Sequence, residues 1–531
     1  MAVCECIFLI GAVFISHFGA LSHIETAKLF DNNARAGIRR EVLSFAVDSG
    51  QMWRRSREIF CQPGVPGLKL GHEKLVFRLH ACGTSVSQLA AVNSPAHQAR
   101  QVRAAMPSGG LFAGMEWKIA PAPFPLGENL AQEIESLGRV LLQFYRATNL
   151  LYRKSIEGKQ PAWVAQWLDL GKPRELLERQ RAAAFKNEIP RVIRPDILVT
   201  ENGFCITELD SVPGGIGLTA WLNQTYSQPE ICSSETKILG GATGMIRGFA
   251  SIFGDAPRVR IIVSEEAKAY RPEMEWLAAQ IGPHLTVHDA AFTDFAAGDA
   301  VYRFFELFDL PNVANAEKIF QLAQEKIIRL TPPPKPMFEE KLLFALLWNR
   351  NLQAFWRQEL GEGFLARLKK IIPYTWLVDP TPLPPHAAIP ELNLTDWAQL
   401  KTLSQKEREL ILKVSGFSAQ AWGARGVFLG SDLSAVDWSV AVDAALADFP
   451  VSPSVLQRFH KPSQVATSWF DFARDEVVPM KGRARLCPYY FVAGEGDAAR
   501  PTLGGVLATI VPADKKIVHG MTDAVLAPCC V

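Results

Sequence analysis

The sequence predicts a mixed fold, α+β with an α/β part: antiparallel hairpins and a small open sheet of mostly parallel strands. Three observations predict it. From Arg258 onward, short β-branched runs alternate with helical stretches, the pattern of parallel strands joined by helices. Residues 196–200 and 204–210 flank Glu201-Asn202-Gly203 and read as a hairpin. Residues 410–414 and 427–430 read as two further strands, joined by a glycine-rich loop.

Taken in order, residues 6–21 are almost wholly apolar, broken by Ser16 and His17. The run is short for a transmembrane helix. A secretory leader would also carry positive charge ahead of it, where this chain has Glu5 and no basic residue before Lys28. A buried helix, or a start codon placed too far upstream, is expected there rather than an anchor. Glu116-Trp117-Lys118-Ile119-Ala120 reads as a strand entering a proline-rich turn, and Ile134, Leu137, Leu141 and Phe144 then recur at helical spacing as core positions. Pro213-Gly214-Gly215-Ile216-Gly217 opens an apolar helix around 218–222. Such a turn is either an anion cradle at a helix N-terminus or a tight strand-to-helix corner. The alternating part gives strands at 259–263, 285–288, 300–305 and 327–330, with helices at 273–281 and near 314–325. Pro332-Pro333-Pro334-Lys335-Pro336 closes it, 339–370 is helical, and the proline-rich run 379–385 reads as a linker.

Composition narrows the function. A chain of 531 residues can hold several domains. Its 56 basic and 54 acidic residues leave a formal charge of +2, with no like-charge block, so nucleic acid is not an expected partner. Nine cysteines lie scattered with no C-x-x-C pair, and the terminal pairs Cys4/Cys6 and Cys529/Cys530 read as incidental. A reducing, cytoplasmic setting is expected, with no disulfide framework or zinc ribbon. The ten histidines are dispersed and form no H-E-x-x-H, which argues against a zinc hydrolase.

The hairpin carries the chemistry. Arg194-Pro195-Asp196 and Glu208-Leu209-Asp210 place one arginine and three carboxylates within seventeen residues, followed by Ser211-Val212-Pro213-Gly214-Gly215. Mg²⁺ takes hard oxygen ligands and bridges carboxylates to substrate phosphates, and a phosphoryl group in transfer needs a cation beside it. Glu208 and Asp210, two apart, share a strand face. Whether Asp196 joins them depends on the turn. A two-residue Asn202-Gly203 loop pairs Asp196 with Leu209 and separates the carboxylates. A three-residue loop with Gly203 left-handed pairs Asp196 with Glu208 and gathers all three. The three-residue loop is the expectation; the alternative is a solvated hairpin with its charges outside.

The second motif is Lys413 on its strand, then Ser415-Gly416 and, further on, Gly423-Ala424-Arg425-Gly426. Two strands joined by a flexible glycine loop can fold over a triphosphate, with backbone N–H groups and an inward lysine supplying positive charge. Otherwise the loop is a plain surface hairpin. Ser434-Ala435-Val436-Asp437 suits a capping box before a helix carrying Trp438, Val442, Ala445 and Leu446, and a strand holding Gln457 follows. Three other features invite readings. Gly240-Gly241-Ala242-Thr243-Gly244 resembles a dinucleotide turn, but its spacing is wrong and no good strand precedes it. Arg303 is either a contact for an anionic substrate or a structural ion pair. Lys341 is either a further nucleotide contact or a helix-surface lysine.

Together these motifs resemble the ATP-grasp enzymes, specifically the circularly permuted group that includes glutathionylspermidine synthetase. In ordinary members the lysine strand and glycine loop precede the metal-binding carboxylates; here the order is reversed. The family's Arg-x-Asp, eleven residues, then Glu-x-Asn is similar to Arg194-Pro195-Asp196 and Glu208-Leu209-Asp210, with Asp210 where the family more often has Asn. The resemblance covers residues 190–531 and implies an ADP-forming carboxylate–amine ligase working through an acyl phosphate. Its cofactors would be ATP and Mg²⁺, its partners small or peptide-like acids and amines, with no membrane. It implies Asp196, Glu208 and Asp210 as Mg²⁺ ligands and Arg194 as the catalytic cation. Lys413, Gly423, Gly426, Gln457 and Lys341 would contact the nucleotide. The implied division is an apolar segment at 1–25, the first part of the ATP-grasp core at 26–235, and an inserted small α/β domain at 236–335. A helical segment and linker at 336–394, a nucleotide lobe at 395–460 and a return to the core at 461–531 complete it. A non-catalytic nucleotide-binding or scaffold relative, or a phosphotransferase on the same fold, is the alternative.

Overall fold

The two longest strands, Glu476–Ala493 and Arg500–Pro512, pair antiparallel and form the spine of an eight-stranded sheet. The computed structural model describes residues 94–112, 117–233, 235–421, 423, 425–518 and 523–531. The apolar run at 6–21 and Cys4/Cys6 lie outside these residues, as do Trp422 and Ala424 of the glycine loop. On one side the spine continues through Val525–Cys530 to Lys118–Ile119, the strand expected at 116–120. On the other side Val192–Thr200 pairs with the spine, and Gly203–Asp210 follows it at the edge.

Alternation along these strands feeds two cores, one on each face of the sheet. Ile193, Ile197, Leu486 and Tyr490 pack into one core, with the helices Glu128–Ile156, Leu342–Trp348 and Gln353–Ile371. Ile134, Leu137, Leu141 and Phe144 of the first helix are fully buried, as their spacing predicted. Each such side chain contributes about 1.5–3 kcal/mol of transfer free energy. Val192, Tyr489 and Phe491 point the opposite way, against Ile216–Tyr226, Gly244–Ser251 and Arg271–Ile281.

The small sheet is fully parallel. Its strands run Leu285–Asp289, Val259–Val263, Ala300–Phe304, Arg329–Thr331 across the sheet, with Arg271–Ile281 and Ala316–Gln324 as crossover helices. The proline run that ends it is no exposed connection: residues 332–338 are buried, and Lys335 Nζ donates to Asn149 Oδ1 (2.8 Å) and Glu188 O (2.9 Å). The linker expected near 379–385 is largely exposed. A third sheet, antiparallel, has the order Val427–Leu429, Leu410–Val414, Ser454–Arg458, Thr375–Leu377. Its helix Ala435–Ala447 starts at Ser434, whose Oγ accepts from Asp437 N, the capping box foreseen there. Among the described residues no helix is long and apolar enough to cross a membrane.

Candidate active site

The hairpin reaches the expected pairing by an unexpected route. Its loop is two residues, Glu201-Asn202, with Thr200 opposite Gly203, and near the turn Ile197 faces Ile206. A β-bulge then shifts the register, so that Asp196 faces Glu208 and Arg194 faces Asp210. Thr207 is the extra residue. The three-residue loop is therefore incorrect, while the gathering of the carboxylates is correct. The cause is packing: Ile206 and Leu209 both face the helix-covered core, and two residues three apart share a face only if a residue is inserted between them. Gly203 has φ 118°, positive but not the left-handed helical value.

On this face charge is paired tightly. Arg194 lies between two carboxylates, with Nε 3.1 Å from Asp196 Oδ1 and Nη2 2.9 Å from Asp210 Oδ2. Arg485, from the neighbouring strand, meets Asp196 Oδ2 at 3.0 Å, and Cys487 Sγ lies 3.5 Å from Asp196 Oδ1. Val212 N–H donates to Asp210 Oδ1 at 2.8 Å. Burial raises the Asp210 carboxyl above the usual range; Arg194 pulls it back and Glu208 pushes it further up. Glu208 is the most open of the three carboxylates, a third exposed, and Lys341 Nζ stands 3.5 Å from it.

The lysine sheet faces this row. Ile411, Lys413, Val455 and Gln457 share one side of it. Lys413 Nζ donates to Gln457 Oε1 and to the Thr207 carbonyl, both at 3.0 Å, and Gln457 Nε2 donates to Thr375 Oγ1. Burial pushes the Lys413 ammonium down to about 8, with Glu208 opposing. Beyond the strand, Gly416 is required by close approach: a Cβ there would sit 2.4 Å from the Glu339 carbonyl oxygen. Gly426 donates to Gln420 O at 2.7 Å, while Gly423 has φ +64°, and a Cβ there would meet only Arg425 Nε, at 3.9 Å, among the described residues. Lys341 Nζ also donates to Ala421 O (3.0 Å), and Arg425 pairs with Glu266 at 3.0 Å. Lys341 is thus a half-buried lysine that lines the cavity, not one on an open helix surface.

The third wall is the carboxyl edge of the small parallel sheet, where open α/β sheets present ligand sites. Ser264, Tyr270, Phe304, Glu306, Phe308 and Asp309 line it. Burial, with Glu339 and Asp210 nearby, holds the Glu306 carboxyl well above its usual range. Asp309 Oδ1 accepts from Asn312, and among the described residues its buried Oδ2 has no hydrogen-bond partner. The whole cavity is about 440 Å³. Arg194, Asp196, Glu208, Asp210, Lys341, Lys413, Gly423 and Gln457 all line it. Gly426 does not; it stays at the loop's base.

No protein-family model and no curated protein matches this chain. Several solved structures are similar, among them the following two. One is a glutathione synthetase-like effector from Globodera pallida in its apo form, at 11% identity and TM-score 0.49, over 82% of this chain and 97% of that one. The other is a putative gamma-glutamylcysteine synthetase from Methylobacillus flagellatus KT, at 11% identity and TM-score 0.35, over 74% of this chain and 87% of that one.

Other sequence readings resolve. Arg303 is a structural ion pair: it is buried, 2.7 Å from Glu339 Oε1, and also donates to the Phe305, Pro332 and Pro333 carbonyls. Gly240 and Gly244 allow close backbone packing, since a Cβ on either would lie within 2.5 Å of the Gly504 carbonyl oxygen. The Pro213–Gly217 turn does offer its N–H groups to a carboxyl group, but it is the protein's own. Glu273 accepts from Gly215 N at 2.7 Å and Leu218 N at 3.0 Å, filling the helix N-terminus. Sequence reasoning missed Arg485, Cys487, Glu273 and Glu306. They come from distant segments with no motif around them. Arg425 lay inside the glycine motif, where an arginine among glycines was a usable signal.

Among the described residues no three His, Cys, Asp or Glu side chains are arranged to hold a metal ion by themselves. Mg²⁺ asks less, one or two carboxylates with waters and substrate phosphates completing the octahedron. Glu208 and Asp210, two apart on one strand face and electrostatically coupled, are hard oxygen donors of the right kind.

Proposed function

We propose that this chain is an ATP- and Mg²⁺-dependent, ADP-forming carboxylate–amine ligase with a circularly permuted ATP-grasp architecture. One observation carries the reading. The Arg194/Asp196/Glu208/Asp210 row and the Lys413 strand, remote in sequence and in reversed order relative to ordinary ATP-grasp chains, face each other across a single cavity. The reaction joins an acid to an amine in two balanced steps. The acid's carboxylate oxygen takes the γ-phosphoryl group, releasing ADP, and the amine nitrogen then displaces phosphate from the carbonyl carbon and gives up a proton.

The residues divide this work by position. Ile411, Leu198 and Phe459 give an apolar slot beside Gln457 for the base. Lys413, Lys341 and the loop carrying Gly423 supply positive charge and N–H groups for the phosphates, and the loop closes over them as a lid. Glu208 and Asp210, with Asp196 beside them, would hold Mg²⁺, which would neutralise phosphate oxygens. Arg194 offsets charge on the transferring group, a contact whose loss costs about 10²–10³ in rate. The aromatic and acidic edge at Tyr270, Phe304, Glu306 and Asp309 suits an amine that arrives as a cation.

Acceptor-stimulated ADP formation tests this. With a pool of carboxylates and amines, the wild type forms ADP only when Mg²⁺ is present, and Glu208→Gln abolishes it. A wild type that binds Mg-ATP yet forms no ADP with any pool favours the non-catalytic reading, which the prior pairing of Asp196 and Asp210 with arginines also supports.

A further inference from the structure

Three consecutive residues, Glu339, Glu340 and Lys341, each reach a different part of the molecule. Glu339 is held by Arg303 and by Leu307 N–H at the small sheet. Lys341 points to Glu208 and to Ala421 O at the loop tip. Glu340 turns inward to Lys172, whose Nζ lies 2.6 Å away with both side chains wholly buried. The other Glu340 oxygen accepts from Ser415 Oγ, the residue at the base of the glycine loop.

Ser415 is fixed on every side. Its N–H donates to Pro453 O, its carbonyl accepts from Lys341 N, and its Oγ accepts from Leu342 N at 2.8 Å while donating to Glu340. Gly416 is then pressed on the Glu339 backbone, and Phe417 leaves with φ +46°, its ring 5.7 Å from Lys172 Nζ. An apolar pair in place of Lys172 and Glu340 would hold the fold as well as the ion pair does. It could not offer an oriented acceptor to the Ser415 hydroxyl. What the buried pair adds is therefore direction at the base of the loop.

We propose that Lys172, Glu340 and Ser415 form a positioning relay that fixes both the glycine loop and Lys341 against the phosphate end of the cavity, so that these residues set nucleotide affinity without touching the nucleotide. The proposal rests on the nucleotide-site reading above. Lys172 lies 168 residues from Glu340 and belongs to neither sequence motif.

The test measures the dissociation constant of a non-hydrolysable ATP analogue with Mg²⁺, and the melting temperature, for the full chain. The variants are Lys413→Met, Ser415→Ala and the double change Lys172→Met with Glu340→Leu. The expected result is loss of binding in Lys413→Met and an increase in Kd of about tenfold or more in Ser415→Ala, as for one oriented hydrogen bond to a charged group. The apolar double variant should show the same weakening at an unchanged melting temperature, a split that a purely structural pair would not produce. If wild type binds, Lys413→Met does not, and both relay variants bind as tightly as wild type, the relay is overturned while the nucleotide site stands. If wild type itself does not bind, the site reading falls and the relay falls with it.

Discussion

Lys413 Nζ donates to the carbonyl of Thr207 at 3.0 Å across 206 residues of sequence, and Thr207 is the residue that the hairpin bulge leaves without a partner in the ladder. The bulge that gathers the carboxylates thus also supplies an acceptor for the lysine opposite. With Gln457 Oε1 as its other acceptor, the buried ammonium is held by neutral groups. Phosphate would be its first close anionic partner within hydrogen-bond reach.

That environment predicts a pH dependence. Burial lowers the folded pKa of Lys413 to about 8, against the ordinary 10.5. Between these values the unfolded chain holds a proton that the fold does not, so this group's contribution to stability rises with pH across that window. Below pH 8 its burial as a cation costs about 3 kcal/mol. Nucleotide binding runs the other way, because it needs the charged form. The Kd for ADP should rise above pH 8, by up to about tenfold per pH unit. Lys413→Arg should flatten the curve, since guanidinium stays charged. Titration of Kd from pH 7 to 9.5 decides it; an unchanged wild-type Kd across that range contradicts the assignment.

Arg194 predicts a link between stability and Mg²⁺. Replacing it with Met takes away the cation 2.9 Å from Asp210, which stands beside Glu208, and one of the two arginines paired with Asp196. Breaking a buried pair from one side costs about 3–5 kcal/mol, so the melting temperature should fall by several degrees. Millimolar MgCl₂ should recover part of that loss, where NaCl at equal ionic strength should not. Equal effects of the two salts would argue against these carboxylates as metal donors.

Much of this arrangement was legible in the sequence, and what was not has a physical reason. The strands and helices of the small sheet follow from periodicity, and the Ser434 cap from local chemistry. The three-residue turn expected from Asn202-Gly203 is not formed, because the register is set further along the hairpin. Ile206 and Leu209, three apart and both apolar, cannot share a buried face in a regular strand, so a bulge between them was already written. Arg485 and Glu273 left no such mark. Each acts on the hairpin or its turn from a segment brought there by the sheet or by a crossover helix, and nothing in a strand or helix sequence says which neighbour it will meet. Lys341 stood between two readings because a lysine before an apolar helix looks alike on a surface or in a cleft.

Glu273 gives the last prediction. Its carboxylate accepts from Gly215 and Leu218 N–H, and the turn it caps carries Gly214, whose carbonyl accepts from Arg194 Nη1 and from Tyr489 OH. Burial pushes this carboxyl up to about 7, with the backbone N–H groups opposing. Between the unfolded value near 4.5 and 7, the fold holds a proton that the unfolded chain has lost. The group's contribution is therefore fully present below pH 4.5 and declines as pH rises through 7, by about 3 kcal/mol in all. Glu273→Gln removes the titration while keeping one acceptor. The melting temperature of wild type minus that of Glu273→Gln should fall between pH 5 and 8 and level off above, whereas a difference constant across that range would show that helix N–H groups hold the carboxylate ionised throughout.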